Sequence, residues 1–366
     1  MHSSLKRQAS WSLALCLAVG LSLASGGRPA AQQTSAGTPP ARELAPDNGA
    51  VVLMYHRFGE DSLPSTSVRL TQFEAHLAEL TSGKYQVMGL PEILARLRSG
   101  ETLPEHALAI TIDDAAISVY REAWPRLKAL NLPFTIFVST EPLDLGLAGY
   151  MSWTQLRELA ADPLVTIGNH GHSHAHMAWL SPAAQRADIE TAALRFENEL
   201  GSRPELFAYP YGEASQALRQ NVVDAGFAAA FGQHSGALGE LSDPFNLPRF
   251  PLNETYGVME RFRLLANALP LPVDGITPAD MSVASAAANP PNFGFTLAEV
   301  LGSPSGLNCF ASAGDPEMMR LDQRIELRFA GPLPAGRVRV NCTLRAASGR
   351  WRWFGTQFVV SEEAVR

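Results

Sequence analysis

From about residue 50 onward, short apolar runs alternate with amphipathic stretches. Strand candidates are 51–56, 85–88, 108–113, 134–139, 165–169, 206–209, 228–231 and 247–252, each bounded by turn residues. Between them lie stretches with helical spacing. Residues 72–80 put Phe73, Leu77 and Leu80 on one face, and 119–130 do the same with Tyr120, Trp124, Leu127 and Leu130. Residues 182–200 align Ile189, Ala193, Phe196 and Leu200, and 256–269 align Met259, Phe262, Leu265 and Leu269. Such stripes fit helices packed by one face on a core. Roughly seven or eight strand–helix units predict an α/β fold with a parallel sheet, most simply closed as a barrel. No glycine-rich dinucleotide fingerprint follows the first strand, which weakens the alternative of an open doubly wound sheet.

Past residue 270 the pattern changes. Residues 271–292, rich in Pro, Ala and Ser, read as a linker. Segments 293–300, 307–312, 323–329, 337–345 and 351–360 then alternate apolar and polar positions between Gly/Pro turns. They predict a small antiparallel β domain over 293–366. Trp351 and Trp353 fall on one strand face, with Arg350 and Arg352 opposite. A tryptophan pair at period two reads first as core, with a sugar-stacking surface as the alternative.

The first 31 residues have the pattern of a secretory signal peptide. Lys6 and Arg7 precede an apolar run over 11–24, too short to span a bilayer, and small residues lead to Ala30 and Ala31. Residues 32–48, rich in Gln, Ser, Gly and Pro, read as a flexible linker, which leaves 49–270 as the main domain. The mature chain is therefore expected to be exported, periplasmic or secreted, with no transmembrane segment. Cys16 would be removed, leaving Cys309 and Cys342 to form one disulfide. With 46% hydrophobic and 18% charged residues and a net charge of −7, the composition is that of a globular protein. It offers no basic face for nucleic acid. Nothing in it sets the oligomeric state.

Candidate chemistry gathers at strand ends. The run ALAITIDD ends abruptly in Asp113 and Asp114. Carboxylates at the C-terminal end of a buried strand are costly unless used, and that end is where α/β folds build sites. Neighbouring strand residues point to opposite sides, so the two carboxylates should have different tasks. An ordinary helix cap is the bland alternative. The second cluster follows the 165–169 strand. His170, His172, His174 and His176 are four of the nine histidines, all within seven residues. Imidazole is a frequent metal ligand, and ligands four apart suit either His170 with His174 or His172 with His176. Asp114 would complete a set of two histidines and one carboxylate, leaving a position open for water whose pKa falls toward ~7. Asp113 could then take the water's proton. Third, Pro210 and Gly212 bracket Tyr211 in a tight turn able to present its N–H to an oxyanion. A glycosidase built on Asp113 and Asp114 is disfavoured, because sequence neighbours cannot oppose each other across the ~5–9 Å that such pairs span.

Together these residues resemble the polysaccharide deacetylases, the NodB-homology group also called carbohydrate esterase family 4. The family's T-F-D-D-G appears as Thr111-Ile-Asp-Asp-Ala115. Its H-[S/T]-x-x-H, preceded by I-G-N, appears as Ile167-Gly-Asn-His170-Gly-His-Ser-His174, and its R-x-P-Y-G as Ala208-Tyr-Pro-Tyr-Gly212. The resemblance spans about residues 50–270, and Leu53-Met-Tyr-His-Arg57 is similar to the branch containing poly-N-acetylglucosamine deacetylases. It implies a distorted (β/α) barrel of about seven units rather than eight. It also implies a divalent cofactor, zinc foremost, on Asp114, His170 and His174, which selects between the two registers. Asp113 would be the base, and Tyr211, with Tyr209, would line the substrate cleft. The implied activity is hydrolysis of acetyl groups on N-acetylated sugar polymers. Three departures stand out: Ala115 for Gly, Gly171 for Ser/Thr, and Ala208 for the Arg that contacts the base. Arg57 and Arg249 are candidates to replace that Arg, and His234 and His56 are candidates for the catalytic acid. The alternatives are a non-catalytic carbohydrate-binding protein on the same fold and a small-molecule N- or O-deacylase.

Overall fold

In the computed structural model, residues 44–366 are described. The segment read as a signal peptide, and most of the first linker, lie outside the described residues. Five central strands run parallel in the order Gly49–Tyr55, Ala107–Asp113, Phe134–Val138, Val165–Asn169 and Leu206–Ala208, followed by Ala229–Phe231. Ala237–Gly239 adds antiparallel to the first strand. Residues near 250 link the two edges: Leu247 pairs with Phe231, and Phe250 pairs with Leu53. The result is a distorted barrel flanked by helices. The Ala107–Asp113 strand is buried at all seven positions, as a parallel strand covered on both faces must be.

The helices follow the predicted stripes, except that the stretch expected over 256–269 is helical only at Met259–Ala266, and Leu269 belongs to a short strand. Pro182–Leu200 begins with Ser181, whose hydroxyl caps the Ala184 N–H, and ends at Gly201 in the left-handed region. The stretch expected as one helix over 119–130 is two pieces, a π-helical turn Val119–Ala123 and a short helix Trp124–Ala129. Pro125 has no N–H to continue the first ladder.

Two further sheets pack face to face beyond the barrel. One is antiparallel, in the order Val273–Thr277, Phe293–Leu297, Arg324–Arg328, Glu317–Leu321. The other centres on the long hairpin Gly336–Arg345 and Trp351–Val360, with Asn308–Ala311 beside it. Phe293, Phe295, Ile325, Leu327, Val338, Val340 and Phe358 fill the space between them. Cys309 and Cys342 are directly opposite each other and disulfide-bonded.

Three expectations need correction. Residues 271–292 are not a free linker: Val273–Thr277 is an edge strand, and Ser282–Val283 pairs with Val359–Val360. Main-chain pairing needs no apolar period, so composition hid it. The second sheet is accordingly mixed, since Leu269–Pro270 and Ser282–Val283 both run parallel to the 351–360 strand. Finally, residues 44–48 are packed: Asn48 is buried, accepts from the Leu103 N–H and donates to Glu240, and Pro46 and Asp47 accept from Arg352. Trp353 is a core contact, as its period suggested, but it packs against the barrel core. Its ring packs edge-on to Phe250 of the barrel, at 5.3 Å between centroids, and its Nε1 donates to Asn341.

Candidate metal centre and its neighbours

The Ala107–Asp113 strand stops in an abrupt change of backbone. Asp113 is still a strand residue and fully buried, whereas Asp114 and Ala115 have φ of 77° and 57°. Left-handed conformations at non-glycine residues cost about 1–3 kcal/mol each and persist where surroundings impose them. His174 and Tyr211 share this conformation, with φ of 53° and 59°. Of seven such non-glycine residues among those described, four belong to this one site. The turn at Asp114 swings its carboxylate away from that of Asp113, so the two acids occupy different environments.

Asp114 faces two imidazoles. Its Oδ1 lies 3.5 Å from His170 Nε2 and 3.2 Å from His174 Nε2. Ligand atoms of the three residues all lie within 4.8 Å of one another. The tautomer of His170 follows from its other nitrogen. Nδ1 is 2.7 Å from the Ala208 carbonyl oxygen, which can only accept, so Nδ1 carries the proton. In the neutral ring, Nε2 then turns a lone pair toward a carboxylate oxygen. Both atoms are buried without a hydrogen-bond partner. Two opposed acceptors repel unless a cation sits between them, and a carboxylate with two imidazoles suits a divalent metal. Burial pushes the Asp114 carboxyl up while His170 and His174 pull it well below its usual value; burial lowers the His170 pKa, but Asp114, Asp113 and the Ala208 carbonyl together raise it above its ordinary value.

The other two histidines are engaged elsewhere. His172 Nδ1 is 2.8 Å from Thr140 Oγ1, and His176 Nδ1 is 2.9 Å from the buried Glu213. The loop is held by Asp188 of the Pro182–Leu200 helix. Its carboxylate accepts the His172 N–H (2.7 Å), the Ser173 N–H (3.1 Å) and the Ser173 hydroxyl. Gly171 has φ of 76°, and a Cβ there would lie 2.7 Å from Asp188 Oδ1. The glycine therefore lets Asp188 in, and the bracing that a Ser/Thr would give comes from the helix.

Asp113 has a different partner. Arg249, wholly buried, makes a two-pronged pair with it, Nη1 to Oδ1 at 2.7 Å and Nη2 to Oδ2 at 2.8 Å. Arg249 also donates from Nε to the Gly232 carbonyl and rests over the Phe137 ring. Burial would raise the Asp113 pKa, but Arg249, with His170 and His56, holds it below the ordinary carboxylate value. Of the two candidates to replace the missing arginine, Arg249 makes this contact; Arg57 pairs with Glu60. A lone Arg in the apolar run 247–252 was the available signal, since a charge in a buried strand must be paired.

The remaining candidates divide. His56 Nε2 lies 3.9 Å from Asp113 Oδ2, and burial lowers its pKa against the pull of both aspartates. His234 is buried apart from the carboxylates, beside Arg219 and Asn246 in a cavity of about 370 Å³ between the barrel and the C-terminal sheets. Its pKa is lowered to about 4 by burial and the Arg249 charge. Tyr211 lies against the Asp114–His170–His174 group, 4.6 Å from the His174 ring, with His176 stacked on it at 4.0 Å. Tyr209 is buried, and its hydroxyl donates to the Phe245 carbonyl, so its side chain turns away. Asp188 and Glu213 were not anticipated.

Known proteins resemble this arrangement. Residues 100–230 match the family model described as polysaccharide deacetylase. A putative polysaccharide deacetylase of Bacillus subtilis, YxkH, is 25% identical over 186 residues, covering 51% of this chain and 65% of that protein. A poly-beta-1,6-N-acetyl-D-glucosamine N-deacetylase of Escherichia coli is 26% identical over 252 residues, covering 57% of this chain. This chain spans only 37% of the length of the E. coli protein. Among solved structures, IcaB from Ammonifex degensii superposes with a TM-score of 0.53 at 26% identity, over 60% of this chain and 97% of that one. The Streptococcus pyogenes deacetylase PplD shares the fold, with a TM-score of 0.53 at 19% identity over 58% of this chain and 98% of that one. The aspartates, the paired histidines and the Pro-Tyr-Gly turn all fall inside residues 100–230, the segment that matches the polysaccharide deacetylase model.

Proposed function

We propose that this protein is an exported, metal-dependent deacetylase that hydrolyses the acetyl amides of N-acetylglucosamine-type polymers. One observation carries the reading: opposed, unpartnered acceptors on Asp114 and His170 lie beside a second carboxylate that Arg249 keeps ionised and fixed. Asp114, His170 and His174 would hold the cation. A divalent ion there supplies Lewis acidity toward the acetyl carbonyl and lowers the pKa of a water molecule.

The chain's own residues account for the rest. Asp113, ionised and oriented by Arg249, accepts the proton of the attacking water. The Tyr211 N–H, presented by the left-handed turn, stabilises the oxyanion as the amide carbon becomes tetrahedral. The amine leaves with a proton returned from the Asp113 side, where His56 is the nearer imidazole. The binding-protein alternative rests on the missing motif arginine and acid; the Arg249–Asp113 pair argues against it, with His56 as the candidate acid. We assign catalysis to residues 49–270 and an accessory role to 293–366. Export rests on the pattern of residues 1–31; no described helix is long and apolar enough to cross a membrane.

The test is acetate release by the purified protein, with metal content measured in parallel. Substrates are β-1,6-linked and β-1,4-linked N-acetylglucosamine oligomers, peptidoglycan and an O-acetylated polymer. The expected result is one stoichiometric metal and acetate from an N-acetylated glycan. Metal-loaded protein that releases acetate only from O-acetyl esters, or from nothing, contradicts the reading.

A further inference from the structure

The turn that presents Tyr211 does not stand on barrel contacts alone. Gln357, on the Trp351–Val360 strand, is buried, and its Nε2 donates to two successive carbonyls of that turn, Tyr211 at 3.2 Å and Gly212 at 3.0 Å. Carbonyls can only accept, so this amide orientation is fixed. Arg337, on the paired Gly336–Arg345 strand, adds a weaker contact from Nη1 to the Tyr211 carbonyl at 3.4 Å. Its guanidinium also lies over the Tyr211 ring. Arg337 approaches Glu213, the partner of His176, and the His176 ring stacks on Tyr211. Tyr211 is thus gripped at its carbonyl and ring by residues of the second domain and by the histidine loop.

The strand bearing Gln357 is seated firmly enough to act as a reference. Trp353 packs on Phe250, two turns of the pleat away from Gln357. At Gly355 the backbone comes so close to the Ser235 carbonyl that a Cβ would overlap it. Tyr211 and Gly212 both have positive φ, 59° and 68°. A turn held in that region needs outside constraint, and the Gln357 amide, donating to the Tyr211 and Gly212 carbonyls, supplies it.

We infer that Gln357 is a positioning residue for the Tyr211 N–H, so that the C-terminal sheets are a working part of the deacetylase site. The inference rests on the proposed function, because it concerns a turn to which that proposal gives the oxyanion. Gln357 touches no reacting atom; it holds the Tyr211–Gly212 and Gly212–Glu213 peptides through their carbonyls, and so fixes the turn from which the preceding Pro210–Tyr211 peptide projects its N–H. An oxyanion donor is worth ~10²–10³ in rate, and a displaced one forfeits part of that.

The experiment compares full-length wild type with Gln357→Met, which keeps the side-chain volume and loses the donor, and with Gln357→Lys, which restores a donor of similar reach. Two readouts are taken: kinetics on an N-acetylglucosamine oligomer, with metal content, and hydrogen-exchange mass spectrometry of peptides covering 208–214. In Gln357→Met, kcat should fall about tenfold or more, with KM and metal content within twofold. Exchange at 208–214 should accelerate. Gln357→Lys should recover part of kcat. A Gln357→Met protein with near-normal kcat, or one whose loss lies in KM or metal content, overturns the inference. If wild type releases no acetate, the functional reading fails by itself, and exchange decides the clamp: unchanged protection in Gln357→Met overturns it.

Discussion

Asp113 and His76 are both buried titratable side chains, and the fold keeps them in opposite charge states. Asp113 is ionised because Arg249 matches both of its oxygens. Removing one partner of such a pair strands a buried charge. His76 has no counter-charge. Its Nε2 donates to the Gly257 carbonyl at 2.7 Å, its Nδ1 accepts from the Tyr55 hydroxyl at 3.1 Å, and Phe262 stacks on its ring. Burial lowers its pKa to about 4, the Gly257 carbonyl opposing only in part. The unfolded chain therefore binds more protons than the folded one between pH ~6.5 and ~4. Stability from neutral His76 is fully present above ~6.5 and drains as pH falls, by about 2 kcal/mol at pH 5. Urea unfolding at pH 7 and pH 5 should show His76→Gln losing about 2 kcal/mol less than wild type over that interval. Equal losses in the two proteins would contradict this assignment. At this scale the sequence reveals residue types but not partners. Asp113 was legible as a strand-end carboxylate, whereas its Arg249 lies 136 positions away and could only be named as one of two candidates.

Strand and helix periods were legible because burial on one or both faces writes itself into the apolar pattern. The Pro182–Leu200 helix was read to its ends, since Ser181, Pro182 and Gly201 mark them chemically. Its functional residue was not. Asp188 sits beside the apolar stripe, three positions after the buried Gln185 and next to Ile189. Only the folded loop shows that it accepts from His172 and Ser173. Residues that orient ligands typically contribute ~10–100-fold to metal affinity. Asp188→Ala should weaken zinc binding by about that factor in a chelator competition, while far-ultraviolet circular dichroism stays as in wild type. Unchanged zinc affinity would show that the loop holds its shape without the helix. Residues 271–292 were misread for another reason: their strands are defined by main-chain pairing to 293–297 and 359–360, which leaves no mark on composition.

At the scale of the whole molecule, the barrel brings together three strand ends that are distant in sequence, and the C-terminal sheets close over the Tyr211 turn. The division of labour between Asp113 and Asp114 is the central claim, and it is decided by two substitutions in the full-length protein. Asp114→Asn should lose metal and acetate release together, because an amide is a poor ligand for a divalent cation. Asp113→Asn should keep its metal, since its side chain faces Arg249 and not the His170–His174 pair. It should lose ~10²–10⁴ in rate, the usual contribution of a general base. The measurement that decides is metal content alongside acetate release for Asp113→Asn, on protein whose circular dichroism matches wild type. Full metal with a rate down by ~10²-fold or more is the predicted result. Full metal with near-normal turnover would contradict the account and assign the base to another residue.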